Sequence, residues 1–116
     1  MTEEHGIQNQ IRAGVAQAVL FRSNAGDFWQ GRLVYSREFK QTVLINIRRV
    51  EGLPKGFADL FGVRLSDGKA VFIEVKTAGG KASDDQKKFI KKMREFGAVA
   101  GICRSVDEAL KLISNQ

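Results

Sequence analysis

Apolar residues recur along the chain with two different periods, and these periods predict where helices and strands form. Near the start, four apolar residues lie four positions apart: Ile7, Ile11, Val15 and Val19. This spacing is close to the helical repeat, and Thr2 or Glu3 is a candidate N-cap. We therefore expect the chain to open with an amphipathic helix that Gly6 and Gly14 weaken.

The middle of the chain contains two segments rich in branched and aromatic residues. On this basis residues 42–50 are predicted to be a strand, and residues 28–35 a strand or an irregular extended segment. Phe28 and Trp29 could stack on an unpaired base or fill an interface, but aromatic side chains are more often buried. We expect both of them in the core.

A β-hairpin is predicted next. Residues 59–65 and 70–77 have the composition of strands, and residues 66–69 between them contain a central Asp-Gly pair. An Asp-Gly pair between two such segments is a strong signal for a tight turn. The two segments should therefore pair with each other in antiparallel fashion.

Two capping-box signatures mark two later helices. In each, a serine precedes a glutamine or glutamate by three positions: Ser83 with Gln86, and Ser105 with Glu108. The first helix, residues 83–96, should end at Gly97, and the short apolar segment 99–103 is predicted to be a buried strand.

The elements together predict an α/β protein with the order α-β-β-β-α-β and an added C-terminal helix. The helix 83–96 should cross over and place the strand 99–103 beside the hairpin. We expect a central mixed sheet with helices covering both faces.

Composition limits the class of protein. With 116 residues and 12.9 kDa, the chain is expected to be a single domain, residues 1–116.

Cys103 is the only cysteine, which excludes an intramolecular disulfide, and no Cys/His cluster offers the ligands of structural zinc. Cys103 also has no histidine near it in sequence, so we exclude a cysteine nucleophile. The apolar segments are too short to span a membrane, and we expect a cytoplasmic protein.

The charge balance points to an anionic partner. There are 19 Lys and Arg against 13 Asp and Glu, a net charge of +6 and a pI near 9.8. Lys87, Lys88 and Lys91 lie on the predicted helix 83–96, where a phosphate backbone could bind. The alternative for any one of these lysines is a solvated helix face.

Two acids and an amine are predicted to share one side of the hairpin. The two-residue period of a strand puts Glu74 and Lys76 on the same face. A turn centred between Asp67 and Gly68 places Asp59 opposite Lys76 and diagonal to Glu74. Diagonal partners lie about 7–8 Å apart, near enough for two carboxylates to bind one Mg²⁺ or Mn²⁺.

This set of groups suits metal-assisted hydrolysis of a phosphodiester. The ion would polarise the phosphate and lower the pKa of a bound water, while the ammonium could neutralise charge that develops on the phosphate. The alternative is a cross-strand ion pair between Asp59 and Lys76, with Glu74 merely solvated.

Four short motifs follow one another along the chain. They are Glu4-His5-Gly6-Ile7-Gln8, Gly56-Phe57-Ala58-Asp59, Phe72-Ile73-Glu74-Val75-Lys76, and Gln86 on the next helix. Their order resembles the VRR-NUC branch of the PD-(D/E)XK nuclease superfamily over nearly the whole chain. Ala58 stands where that family often has proline. We expect this difference to alter the stiffness of the loop and to retain the chemistry.

The resemblance implies a restriction-endonuclease-like core and assigns roles to the central residues. Asp59 and Glu74 would be metal ligands, together with the backbone carbonyl of Val75. Lys76 would be the catalytic lysine.

The resemblance also implies roles for two polar residues on helices. Gln86 would be an active-site residue and Glu4 an accessory acid. The residues alone leave simpler alternatives open. Gln86 could act only in the capping box with Ser83, and Glu4 could act only by complementing the helix dipole.

The expected function is a Mg²⁺-dependent DNA endonuclease active on branched DNA. Small stand-alone members of the family look like homodimers similar to Holliday-junction resolvases, of phage or prophage origin. Within the enzyme class, the alternative is a nuclease acting on flaps, ends or specific duplex sites. From another class, the alternative is a basic DNA-binding module without catalysis.

Overall fold

The computed structural model describes residues 2–23 and 27–114. Within these ranges, three helices and six strands follow one another. They are α1 (Glu3–Gly14), β1 (Ala18–Arg22), β2 (Asp27–Ser36), β3 (Gln41–Glu51), β4 (Leu60–Arg64), β5 (Ala70–Val75), α2 (Asp84–Glu95), β6 (Val99–Cys103) and α3 (Val106–Ser114). None of these helices is long and apolar enough to cross a membrane.

Four of the strands form a mixed sheet in the order β1-β4-β5-β6. β4 pairs antiparallel with both β1 and β5, whereas β6 runs parallel to β5. α2 makes the crossover between the two parallel strands, as a parallel pair requires. The expected α/β class, with a central mixed sheet flanked by helices, is confirmed.

Helices cover the two faces of this sheet unequally. α1 and α3 pack on one face, where Leu60, Ile73 and Ile113 are fully buried. α2 packs on the other face above β5 and β6. On that second face, Val19 and Phe21 stay about half exposed. The expectation that both faces are covered therefore holds for β5 and β6 and is wrong for β1 and β4.

The first helix is shorter than its apolar spacing predicts. α1 ends at Gly14 and Val15 is its C-cap, so Val19 lies in β1. Burial there alternates with a period of two: Ala18 and Leu20 face the core and Val19 does not. The four-residue spacing of Val15 and Val19 is thus coincidental. The structure thus has five strands before α2, whereas the predicted order contains three.

β2 and β3 form a separate two-stranded sheet, called the arm below. Among the described elements, the two strands of the arm pack on each other and make little contact with the rest. The molecule is accordingly elongated, with extents of 57 × 28 × 26 Å. Phe28 and Trp29 lie in the arm and are 46% and 61% exposed. The prediction that they are in the core is wrong, because no layer formed by the described residues covers either face of the arm.

The local signals near the C-terminal half are confirmed. The capping box of Ser83 and Gln86 forms with both of its hydrogen bonds, and Gly97 ends α2 with a φ of 93°. At α3, Ser105 accepts a hydrogen bond from the Glu108 N–H, but the Glu108 side chain accepts from the Arg104 N–H instead. The Ser-Asn-Ala-Gly sequence of residues 23–26 predicts a turn, and of these residues only Ser23 lies within the described ranges.

Candidate active site

Asp59 and Glu74 lie opposite each other at the end of the β4–β5 hairpin. The ladder pairs Leu60 with Ile73, and its continuation pairs Asp59 with Glu74. The expected pairing of Asp59 with Lys76 is wrong by two residues. All three side chains still share one side of the sheet, because a shift of two residues preserves the face.

The turn chemistry explains this shift in register. Asp67 does not sit at the centre of a two-residue turn. Its carboxylate forms an ion pair with Arg64 at 2.6 Å and accepts the Lys69 N–H at 3.1 Å. The loop has four residues, closed by the hydrogen bond from the Arg64 N–H to the Lys69 carbonyl, and Gly68 takes a φ of 74°. The axis of the hairpin thus lies between Ser66 and Asp67.

Glu74 is the most unusual side chain of the site. It is 1% exposed, and its Oε1 accepts a hydrogen bond of 2.9 Å from Gln86 Nε2. Its Oε2 is buried and has no donor among the described residues. A buried carboxylate oxygen without a partner is costly unless a proton or a cation compensates it.

The neighbours of Glu74 act on its protonation. Burial raises the pKa of Glu74 to about 9, and a hydrogen bond with the Asp59 carboxyl group and the negative charge of Asp59 add to the rise. The Lys76 ammonium opposes this rise in pKa, and the charge of Glu4 adds a smaller contribution to it. Without a cation, the Glu74 carboxyl group therefore favours its protonated form at neutral pH.

The remaining predicted residues surround this pair. Lys76 Nζ lies 3.9 Å from Glu74 Oε1, and its side chain is 13% exposed. Glu4 is half-buried in the first turn of α1, which Thr2 caps by accepting the His5 N–H. Its influence on the pKa of Glu74 places its charge within electrostatic reach of the site.

Gln86 both completes the capping box and contacts the acidic pair, two roles that the sequence left as alternatives. Its Oε1 accepts the Ser83 N–H at 2.8 Å, which completes the capping box of α2. Its Nε2 donates to Glu74 Oε1. One amide therefore joins the start of α2 to the buried carboxyl group.

Asp59 is held by the backbone around it. Its Oδ2 accepts the Val75 N–H at 2.8 Å, and its own carbonyl accepts the Ser23 N–H at 2.9 Å. Just before it, Gly56 takes a φ of 89° against the first turn of α2, where a Cβ would lie 2.8 Å from the Asp85 backbone. Only glycine fits this approach without a shift of the helix.

Two residues that support the site did not stand out in the sequence. The Ser23 hydroxyl donates to the Ala58 carbonyl, beside Asp59. Arg104 Nη1 donates to the carbonyls of Thr77 and Gly80, both at 2.6 Å, and so fastens the loop that follows Lys76. The only available signal for Arg104 was its position directly after the apolar segment 99–103.

The predicted cationic helix face is on the surface beside the site. Lys87, Lys88 and Lys91 are all exposed on α2, directly after Gln86. Arg94, on the same helix, instead donates from Nε to the Ala100 carbonyl at 2.7 Å. It is therefore engaged in holding α2 against β6.

Other chemistries find little support among the described residues. Cys103 is buried, and burial raises the pKa of its thiol to about 12, which disfavours the nucleophilic thiolate. No group of three or more histidine, cysteine or acidic side chains within residues 2–23 and 27–114 is placed to hold a metal by itself.

A facing Asp–Glu pair, with a lysine two residues after the glutamate on a mixed α/β sheet, is the arrangement of PD-(D/E)XK-type nucleases. The model of the VRR-NUC domain family matches residues 7–107, and the chain belongs to this family. A solved structure described as a VRR_NUC domain protein is similar in fold, with a TM-score of 0.53 and 20% identity. The similarity covers 99% of this chain and 88% of that chain. No curated protein matches the chain.

Proposed function

We propose that this protein is a divalent-metal-dependent endonuclease that hydrolyses phosphodiester bonds in branched DNA as a homodimer, in the manner of a Holliday-junction resolvase. We place its action in the cytoplasm of a bacterial or phage-infected cell. The family supports the nuclease class. The observation that carries the metal dependence is the buried, unpartnered Oε2 of Glu74 beside the Asp59 carboxyl group.

The donor set fits a hard divalent cation. Two carboxyl groups lie next to each other on neighbouring strands, and oxygen ligands of this kind suit Mg²⁺ or Mn²⁺. Asp59, Glu74 and the backbone carbonyl of Val75 would hold the ion. When bound, it would supply Lewis acidity toward the phosphate and a lower pKa for water.

The other residues of the site act on charge and position. The Lys76 ammonium lies close enough to the pair to neutralise negative charge that develops on the phosphate. Gln86 orients the Glu74 carboxyl group through its hydrogen bond. Glu4 adds negative charge at the rim, which increases the attraction for a cation. Lys87, Lys88 and Lys91 offer contacts to the DNA backbone that depend on salt and not on base sequence.

A homodimer suits a four-way junction because two symmetric sites could cut two strands of like polarity. This pairing and the preference for branched DNA extend beyond the family assignment, so both are tested directly.

The test compares a synthetic four-way junction, a flap and a linear duplex, each with and without Mg²⁺. We expect cleavage of the junction in Mg²⁺ only, and Lys76→Ala should lower its rate by about 10²–10³-fold with junction binding retained. Lys111→Ala, which removes a lysine of α3, is the matched control and should cut at the parental rate.

The outcomes separate the candidate functions. Preferred cleavage of the flap or the duplex would replace the junction as substrate. Tight binding of all three DNAs without any cleavage in Mg²⁺ or Mn²⁺ would identify a DNA-binding module instead.

A further inference from the structure

The arm carries an exposed apolar strip on one face. Trp29, Leu33 and Tyr35 alternate along β2, Leu44 lies opposite Leu33, and Ile47 joins them across Gly31. A β-bulge allows Ile47 to join this face. At the bulge, Asn46 takes a φ of 52°, and the pairing shifts between Gln30 and Arg32. The apolar strip is defined as Trp29, Leu33, Tyr35, Leu44 and Ile47, which are 38–70% exposed.

Charge on the arm lies away from the centre of this strip. Gln30 pairs with Arg48 and Arg32 pairs with Ile45, so both arginines lie on the opposite face, where Arg48 donates to the Gln30 side chain. Arg49 lies opposite Trp29 on the face of the strip, at the base of the arm, where it forms an ion pair of 2.7 Å with Asp27. Three aliphatic and two aromatic side chains without a free cation among them suit a protein partner better than nucleic acid.

A second apolar surface lies on the uncovered half of the four-stranded sheet. Val19 pairs with Val63 and Phe21 with Phe61, and Leu65 continues β4 opposite Gln17. The open patch is defined as Val19, Phe21, Val63 and Leu65, which are 43–61% exposed. It lies beside α2, to which aromatic contacts from Phe21 through Phe61 and Phe57 to Phe89 connect it.

We propose that two copies of the chain pair through reciprocal contacts, in which the apolar strip of each arm packs on the open patch of the other copy. The inference rests on the pairing in the proposed function and adds to it the surfaces that meet. A projecting two-stranded ribbon is marginally stable in water by itself, and a sheet beneath it would supply the missing layer.

The apolar area that each copy would bury agrees with that of a stable dimer. Nine partly exposed apolar side chains contribute on the order of 100 Å² each, which amounts to roughly 800–900 Å² for each copy. That is close to the roughly 800 Å² per partner that a standard interface buries. The arm is about 33 Å long for the ten residues of β2, enough to reach across a neighbour whose shorter dimensions are 28 and 26 Å.

The symmetry of these contacts identifies the partner as a second copy of the chain. Each copy offers one strip and one patch, and a two-fold axis satisfies both surfaces of both copies with one kind of contact. Any other single partner would need to present two separate apolar surfaces at the correct distance.

The first experiment measures the oligomeric state by sedimentation over a concentration series. Wild-type protein should be a dimer at micromolar concentration. Leu33→Asp in the strip and Val63→Asp in the patch should each raise the dissociation constant about thirtyfold or more. Gln41→Asp, on the opposite face of the arm, is the matched control and should leave the constant unchanged. A wild-type monomer at tens of micromolar, or an effect of Leu33→Asp without one of Val63→Asp, would overturn the proposal.

The second experiment identifies the contact. Leu33→Cys and Val63→Cys proteins are mixed and oxidised, while the native Cys103 is buried. We expect a disulfide between the two kinds of copy and none when Leu33→Cys is oxidised alone. Disulfide formation in the Leu33→Cys protein alone, with none between the mixed variants, would mean that arms pack on arms and would refute the assignment.

Failure of this proposal can be told from failure of the proposed function. Lys76→Ala should dimerise like the wild type even though it cuts the junction about 10²–10³-fold more slowly. If the protein forms the expected cross-link but cuts no DNA, the proposed interface is supported and the proposed nuclease activity is refuted. A monomeric protein that cuts the junction refutes the interface and the homodimer of the proposed function, but not the nuclease.

Discussion

The four-stranded sheet and the arm are built from similar branched and aromatic residues, yet they bury them very differently. Ile73 in β5 is fully buried between helix layers, while Leu33 in β2 is 70% exposed. The sheet is covered on one face by α1 and α3, and partly on the other by α2, whereas the arm has no covering layer. The same sequence pattern can therefore specify a core or an exposed surface, depending on which elements cover it.

The largest expected effect separates chemistry from assembly. Asp59→Asn removes a negative charge from the carboxyl pair, and we expect the rate of junction cleavage to fall on the order of a thousandfold, about 4 kcal/mol. Sedimentation should show unchanged pairing, because Asp59 lies outside the strip and the patch. Asp107→Asn on the exposed side of α3 is the control. Parental cleavage by Asp59→Asn would remove Asp59 from the site.

A matched pair of leucines tests the difference in burial. Leu60→Ala empties a fully buried position, and we expect urea unfolding to show a loss of about 2–5 kcal/mol. Leu33→Ala, measured at a concentration where the protein is monomeric, should change the unfolding free energy by no more than about 0.5 kcal/mol. Equal losses for both variants would mean that the arm is covered within the monomer.

The smallest expected effect depends on pH. Folded Glu74 retains its proton up to a pKa of about 9, whereas the unfolded chain loses it near the ordinary pKa of 4.5. The unfolded state is therefore favoured increasingly as pH rises between these values. In EDTA, Glu74→Gln should melt near the wild type at pH 5 and roughly 5 °C higher at pH 8.5.

The control for this pH effect is Glu95→Gln at the exposed end of α2. It should show the same difference from wild type at both pH values. A gap between Glu74→Gln and wild type that shrinks as pH rises would contradict the protonated state of Glu74.

Local signals in the sequence predicted much of the fold. Ser83 with Gln86, the Asp-Gly pair and the apolar segment 99–103 each specify structure through nearby residues, and the hairpin, α2 and β6 followed from them. β1 escaped prediction because Val15 and Val19 fit a helical spacing by coincidence. The predicted register of the hairpin was wrong because the Asp67 carboxylate forms an ion pair with Arg64. The type of residue alone does not reveal this contact.

The site itself was predicted as a set of residues but not as a geometry. The two-residue period was enough to place Asp59, Glu74 and Lys76 on one side. The unpartnered Oε2 of Glu74 depends on how deeply α2 packs, and the supporting bonds of Arg104 depend on contacts between distant parts of the chain. Exposure of Trp29 likewise depends on the absence of a layer over the arm, which composition does not encode.

The double engagement of the Gln86 amide has a consequence for how the enzyme becomes competent. Fraying of the first turn of α2 would withdraw the donor from Glu74 at the same moment that it releases the Ser83 N–H. Amide exchange at Ser83 should therefore report, residue by residue, the fraction of molecules whose acidic pair is organised. Formation of the first turn of α2 and organisation of the acidic pair therefore occur together in this chain.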